Sequence, residues 1–300
     1  MSISTHSKKT KAITIRLLTL GMMLAWVSAQ AAKTTPEDFG IELQNKVTAE
    51  VLVSIRPLPG GHLEYGYTLK NSALSKQNIL NFRVQVKVPV SSATAEMTAA
   101  PGWFLSGRGN SVDRTLDDGS IKTTIGWLGE DIPTLIKPGE SLSGFRLIVK
   151  SIPGIQDFQV QGYTDKDMAK IDLFEEEMDV LGDLQDAFKG NSFKGKTIGP
   201  DPAPEVVNLA ELLDRLIFFK HQAAALNWIS GPGSDGIVKS LDAKLDAAKA
   251  AIARGQNKTA ANQLNAFVNE LRTRRGKHFS DNAFFLLKIN AEFILSKLGA

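Results

Sequence analysis

Ser234-Asp235-Gly236-Ile237-Val238-Lys239-Ser240-Leu241-Asp242-Ala243-Lys244-Leu245 opens the part of the chain whose reading decides its architecture. Ile237, Leu241, Leu245, Ala248 and Ile252 recur at helical spacing and lay one apolar stripe along a helix. Gly231-Pro232-Gly233 breaks the chain before it, Ser234 is placed to cap it, Asp235 favours the positive end of its dipole, and Gly255 stops it. The pattern repeats on both sides. Residues 205–228 carry Leu209, Leu213, Leu216, Ile217 and Ala224 on one face. Asn257 is placed to cap a third helix with Ala260, Leu264, Phe267, Val268 and Leu271, closed by Arg272, Arg274, Arg275 and Gly276. Ser280 and Asp281 start a fourth with Phe284, Leu287, Ala291, Ile294, Leu295 and Leu298. Each helix has a stripe to bury and a short connection to the next, so residues 205–300 are expected to form a four-helix bundle.

Upstream the period changes from helical to two. Leu63, Tyr65, Tyr67 and Leu69 alternate after Pro59-Gly60-Gly61, and Phe82, Val84, Val86 and Val88 alternate before Pro89. Ile121, Thr123, Ile125 and Trp127 form another such segment, as do Phe145, Leu147 and Val149 after Lys137-Pro138-Gly139-Glu140. With 51–55 and 158–160, these give six or seven short strands and no helical stretch long enough for a parallel crossover. The expected fold is therefore all-β followed by all-α in two domains: an antiparallel β-sandwich over 40–165, then the helical bundle. Between them, 166–204 reads as an acidic amphipathic helix (169–188) and a linker ending in Pro200-Asp201-Pro202-Ala203-Pro204. Proline at alternate positions favours extended backbone, which would hold the two domains apart.

The first 31 residues are basic at Lys8, Lys9, Lys11 and Arg16, apolar from Leu17 to Val27 and small around Ala29-Gln30-Ala31. That is the pattern of a secretory signal peptide, with cleavage expected after Ala31. The apolar run is shorter than the roughly 20 residues a spanning helix needs, so no stable membrane span is expected after cleavage. Removing those residues takes away four of 35 basic side chains, leaving 31 against 32 acidic ones, a net charge of −1. Such a chain has no general electrostatic attraction for nucleic acid. The chain has no cysteine, which excludes disulfides and thiolate metal sites. The 269 remaining residues suit about two domains, secreted or periplasmic.

Gly236-Ile237-Val238-Lys239-Ser240-Leu241-Asp242-Ala243-Lys244-Leu245 is followed by Ala253-Arg254-Gly255-Gln256-Asn257 and then by 261–268 and Arg275-Gly276-Lys277. Over 216–298, this order of motifs resembles the FIMAH-type C-terminal helical domain of secreted bacterial proteins. Lys239 stands where that family often has Asn, and Arg275 where Ser is frequent. The resemblance implies an extracytoplasmic modular protein; no catalytic residues are associated with the domain. The strand-rich region is similar to immunoglobulin-like sandwiches of secreted bacterial proteins, a generic likeness that brings no functional residues.

Candidate chemistry is sparse. His62, His221 and His278 fall in different elements without metal-ligand spacing, and no metal or cofactor is expected. His221 is expected at the bundle edge, and His278 to donate to the last carbonyls of the third helix. Gly231-Pro232-Gly233-Ser234-Asp235-Gly236 has the letters of a dinucleotide fingerprint but follows a helix, where a helix stop explains it. Asp165-Lys166-Asp167 with Glu175 and Glu176 lacks the ligand and the glycine of a calcium loop. Asp117-Asp118-Gly119 is first a hairpin turn. Trp103 and Trp127 are the candidate binding residues, because exposed indoles stack on sugar rings, but the packing reading is the stronger: Trp127 lies in phase with Ile121 and Ile125, and Trp103, after Pro101-Gly102, can plug the end of the sandwich.

The expected function is non-catalytic binding or attachment outside the cytoplasm, through the sandwich, to a protein or polysaccharide surface, with the helices as an accessory module. One alternative is a hydrolase or hydrolase accessory protein acting on an extracellular polymer, the hydrolase using carboxylates among Asp113, Asp117, Glu130 and Asp131, which requires a pair facing each other across a cleft. A structural spacer is the third.

Overall fold

Alternation of inward and outward side chains builds two antiparallel sheets. The computed structural model describes residues 45–90, 94–106, 114–115, 121–163 and 192–299. The strands are β1 (Ala49–Pro57), β2 (His62–Asn71), β3 (Ile79–Val86), β4 (Ala95–Thr98), β5 (Trp103–Ser106), β6 (Arg114–Thr115), β7 (Ile121–Gly129), β8 (Ser141–Lys150), β9 (Ile152–Gly162) and β10 (Phe193–Asp201). One sheet has the order β1-β2-β8-β4; the other has β10-β9-β3-β7-β5, with β6 also pairing to β7. Every pairing is antiparallel.

The two sheets face each other through the residues whose alternation marked them. Val51, Val53, Leu63, Tyr65, Tyr67, Leu69, Phe82, Val84, Val86, Phe145, Leu147 and Val160 are all buried. At the centre Trp127 stacks on Phe82, with ring centroids 5.2 Å apart and planes at 17°. Phe145 meets both rings edge-on. The β-sandwich and the C-terminal helices are thus present as the period change predicts.

Four helices follow: α1 (Leu209–Ala225), α2 (Ser234–Ala253), α3 (Asn257–Arg274) and α4 (Asp281–Lys297). α1 packs on α2 and α4, and α3 on the same two, closing a ring of four. The stripes Ile237/Leu241/Leu245/Ala248 and Ala260/Leu264/Phe267/Val268/Leu271 are buried. The two inter-helix connections at one end are tied together, Ser230 N–H donating to the His278 carbonyl at 2.9 Å and Ser280 N–H to that of Trp228 at 2.9 Å.

The caps differ in part from expectation. Ser280 caps α4 by accepting from Ala283 N–H at 3.2 Å, as anticipated. Asn208, three residues after the expected start, caps α1 by accepting from Ala210 and Glu211 N–H. Ser234 does not cap α2: the chain enters from Gly233 at φ 78° with no side-chain cap. Asn257 does not cap α3 either. Its amide donates to the Leu298 carbonyl at 3.2 Å and ties the start of α3 to the end of α4.

The larger correction concerns 166–204. Residues 193–201, read as part of a linker, form β10, which pairs with β9 from Phe193↔Val160 to Asp201↔Ile152. Pro200 is tolerated there because β10 is an edge strand, where a missing N–H costs no ladder bond on the open side. The domains are not held apart by a spacer: α4 packs directly on β1, β9 and β10. The expected helix over 169–188 and the segment 1–31 lie outside the described residues.

Candidate functional site

Trp103 and Trp127 are not an exposed indole platform. Trp103 is 4% and Trp127 0% exposed. Trp127 Nε1 donates to the Thr98 carbonyl at 2.9 Å and Trp103 Nε1 to that of Thr134 at 3.1 Å. Both indoles plug the core with their single polar atoms satisfied, which leaves no face for a sugar.

The carboxylates named for polymer cleavage do not converge among the described residues. Asp113 and Asp117 lie outside them, as does the Asp117-Asp118-Gly119 turn. Glu130 and Asp131 are exposed at the end of β7, where Asp131 N–H donates to Thr134 Oγ1 and Thr134 Oγ1 donates back to the Asp131 carbonyl at 2.8 Å. Among the described residues no group of three or more His, Asp or Glu is arranged to hold a metal ion. The His278 backbone N–H donates to the Arg274 carbonyl at the end of α3 at 3.0 Å, while its ring Nδ1 donates to the Ser230 carbonyl at 3.2 Å. His221 is 57% exposed at the bundle edge.

Polar side chains do converge where the helices meet the sandwich. Asp201, at the end of β10, accepts from Arg215 of α1 at 2.6 Å on Oδ2 and from Gln156 Nε2 of β9 at 2.8 Å on Oδ1. Behind it, Tyr65 and Ser151 share a hydroxyl hydrogen bond of 2.9 Å, and burial pushes the Tyr65 phenol well above its ordinary pKa. Gly154 faces Asp201 so closely that a Cβ there would stand 2.4 Å from Oδ2, so only glycine admits the carboxylate. From α4, Asn282 bonds to β1 and Asn290 donates to the Pro153 carbonyl of β9 at 3.0 Å. None of these residues was signalled by a motif.

A second arrangement lies on the outer face of the β1-β2-β8-β4 sheet. Glu64 accepts from Arg56 at 2.6 Å and from Arg146 at 2.5 Å, each on a neighbouring strand. The Arg56 and Arg146 guanidiniums hold its carboxyl below the usual range. Thr68 and Ser143 share a hydrogen bond of 2.8 Å on the same face, and Gly66 lies between the two pairs. Arg56 is 65% and Arg146 42% exposed, so the ends of both guanidiniums reach solvent in a fixed geometry, while Arg146 Nε is buried without a partner.

Inside the bundle, the fully buried Lys220 of α1 forms an ion pair with Asp242 of α2. Burial pulls its ammonium down to a pKa of about 8, against the opposing effect of Asp246.

With this geometry in hand, comparison with known proteins assigns the helical part. Residues 230–296 match the FIMAH domain. The match begins in the α1–α2 connection and takes in α2, α3 and almost all of α4, so α1 precedes the FIMAH domain while packing as its fourth helix. Asn282 and Asn290 lie within the FIMAH domain, whereas Arg215 does not. No curated protein shows detectable similarity to the chain. Among solved structures, the cohesin module of a family 33 glycoside hydrolase from Clostridium perfringens is similar at a TM-score of 0.22 and 10% identity, over 39% of this chain and 80% of that one. That likeness carries no inference about a ligand.

Proposed function

We propose that the protein is an exported, non-catalytic attachment protein in which the β-sandwich recognises a protein or polysaccharide surface and the FIMAH domain is an accessory module fixed to it. The observation that carries this reading is the direct union of the two parts. α4 of the FIMAH domain bonds through side-chain amides to β1 and β9, and Arg215 bonds to Asp201, so the sandwich is presented by the helices in one orientation. Rigid presentation lowers the ordering cost of binding.

The recognising surface in this reading is the outer face of the β1-β2-β8-β4 sheet. Arg56 and Arg146, already oriented by Glu64, suit carboxylates of an acidic polysaccharide or protein, because a guanidinium donates in a planar fork. The basic, apolar and small segments of 1–31 support export. In addition, no described helix is long and apolar enough to cross a membrane.

The test is capture of defined acidic and neutral polysaccharides and envelope proteins by residues 32–300. The reading expects at least one ligand whose affinity falls by about tenfold in Arg56→Ala/Arg146→Ala, without loss of fold. No capture by the wild-type protein would contradict it, as would release of products from any polymer.

A further inference from the structure

The edge of β1 does not end in open backbone at Val51 and Val53. Both side chains point into the core and are 1% exposed, while the Val51 carbonyl and the Val53 N–H face outward, away from β2. Asn282 of α4 takes both groups: Nδ2 donates to the Val51 carbonyl at 3.0 Å, and Oδ1 accepts from Val53 N–H at 3.0 Å. A residue in a parallel neighbouring strand bonds in the same way, to a carbonyl on one side of its opposite residue and an N–H on the other. One side-chain amide therefore replaces a strand residue opposite Leu52.

The same helix reaches the other sheet. Asn290 donates to the Pro153 carbonyl of β9 at 3.0 Å, and α4 also packs on β10. β1 is the edge of one sheet and β10 the edge of the other, and the two lie side by side. At about 1.5 Å per residue, eight positions along a helix separate the two asparagines by about 12 Å. Packed sheets stand about 10 Å apart. The spacing of the two amides thus matches the gap they cross.

We infer that α4 is a staple between the two sheets, holding the seam of the sandwich shut through Asn282 on the first sheet and Asn290 on the second. Several observations agree with a helix gripped on more than one side. Leu286, Leu287, Ile289, Asn290 and Ala291 are all buried, although consecutive helical residues point about 100° apart. Both asparagines are themselves buried, at 4% and 5% exposure, and their amides find partners on the sandwich. The sequence between them belongs to the FIMAH domain, so a module counted as separate supplies part of the closure of its neighbour. The row of outward groups that invites a foreign strand is thereby blocked at its middle.

The chain lacks cysteine, so Glu50→Cys on β1 and Lys196→Cys on β10 give two exposed sites for spin labels, one on each sheet. Distances between the labels would be measured by double electron–electron resonance in the full mature chain. Alongside them, the exchange rate of the Val53 amide would be followed by NMR. In the parent background, a single narrow distance distribution is expected. Asn282→Ala is expected to broaden it and to speed exchange at Val53 at least tenfold, leaving Ser54 protected by β2. Asn290→Ala is expected to broaden the distribution without changing exchange at Val53, since Asn290 holds the other sheet. The two single variants decide the matter, each by its own readout. A distribution as narrow as the parent's in both single variants, or unchanged exchange at Val53 in Asn282→Ala, would overturn the inference.

Discussion

Arg215 of α1 and Asp201 of β10 lie 2.6 Å apart, and this ion pair fastens the first helix to the last strand. The side chains are only 27% and 11% exposed, so the pair is more than a surface contact. Removing one partner of a largely buried pair strands the other charge. Arg215→Met is expected to destabilise the protein by about 2 kcal/mol, because hydrogen bonds to charged groups are worth about 1.5–3 kcal/mol. Urea denaturation would show this as a lower midpoint at an unchanged slope.

Trp127 tests whether the indoles serve packing alone. Trp127→Ala is expected to cost about 3–5 kcal/mol, the range for losing a large aromatic from a core. Isothermal titration with soluble oligosaccharides, carried out at a temperature where the variant remains folded, should show no loss of any affinity the parent has. Lost sugar affinity in a folded variant would restore the platform reading.

Gly195 shows why β10 tolerates so little change. A Cβ at this position would lie 2.5 Å from the Cε1 and Cζ atoms of the Phe158 ring. Gly195→Ala must displace that buried ring and is expected to cost about 1–3 kcal/mol, as overpacking does. Were this segment a free linker, the same change would be neutral or slightly stabilising, so thermal unfolding of one variant separates the two.

Lys220 gives a pH dependence with a definite sign. Its folded-state pKa of about 8 lies below the unfolded value near 10.4, so between these values the unfolded chain binds more protons. Stability therefore rises with pH through that window, as the cost of burying a charge is relieved, by at most about 3 kcal/mol. Lys220→Met should lack this rise. The difference between the two proteins' unfolding free energies from pH 7 to 10.5 cancels the other titrating groups and isolates the effect.

Much of the fold was legible because burial repeats with a fixed period. Strands β2, β3 and β8 carry large apolar residues at most inward positions, and α2 and α3 carry theirs in single stripes. β10 escaped because, after Phe193, its inward positions are Gly195, Thr197, Gly199 and Asp201. They are small or polar to make room for Phe158, Gln156 and Tyr67, so the alternation is present in shape but absent in hydropathy. The acidic and proline-containing neighbours then favoured a linker reading. The seam escaped for a related reason. Asn282 and Asn290 are ordinary polar residues in isolation, and their meaning lies in long-range contacts to Val51, Val53 and Pro153. One signal was available: Phe284-Phe285-Leu286-Leu287 is apolar on every side of a helix, and such a helix needs covering on more than one face. The phase of Trp127 with Ile121 and Ile125 and the place of Trp103 after Pro101-Gly102 already favour core packing over an exposed platform, and both are buried.

The proposed function requires the sandwich and the FIMAH domain to behave as one body. Scanning calorimetry of residues 32–300 tests this most directly. It predicts a single transition whose calorimetric and van't Hoff enthalpies agree, the mark of one cooperative unit. Two separable transitions, one retained when Arg215, Asn282 and Asn290 are replaced together, would contradict it.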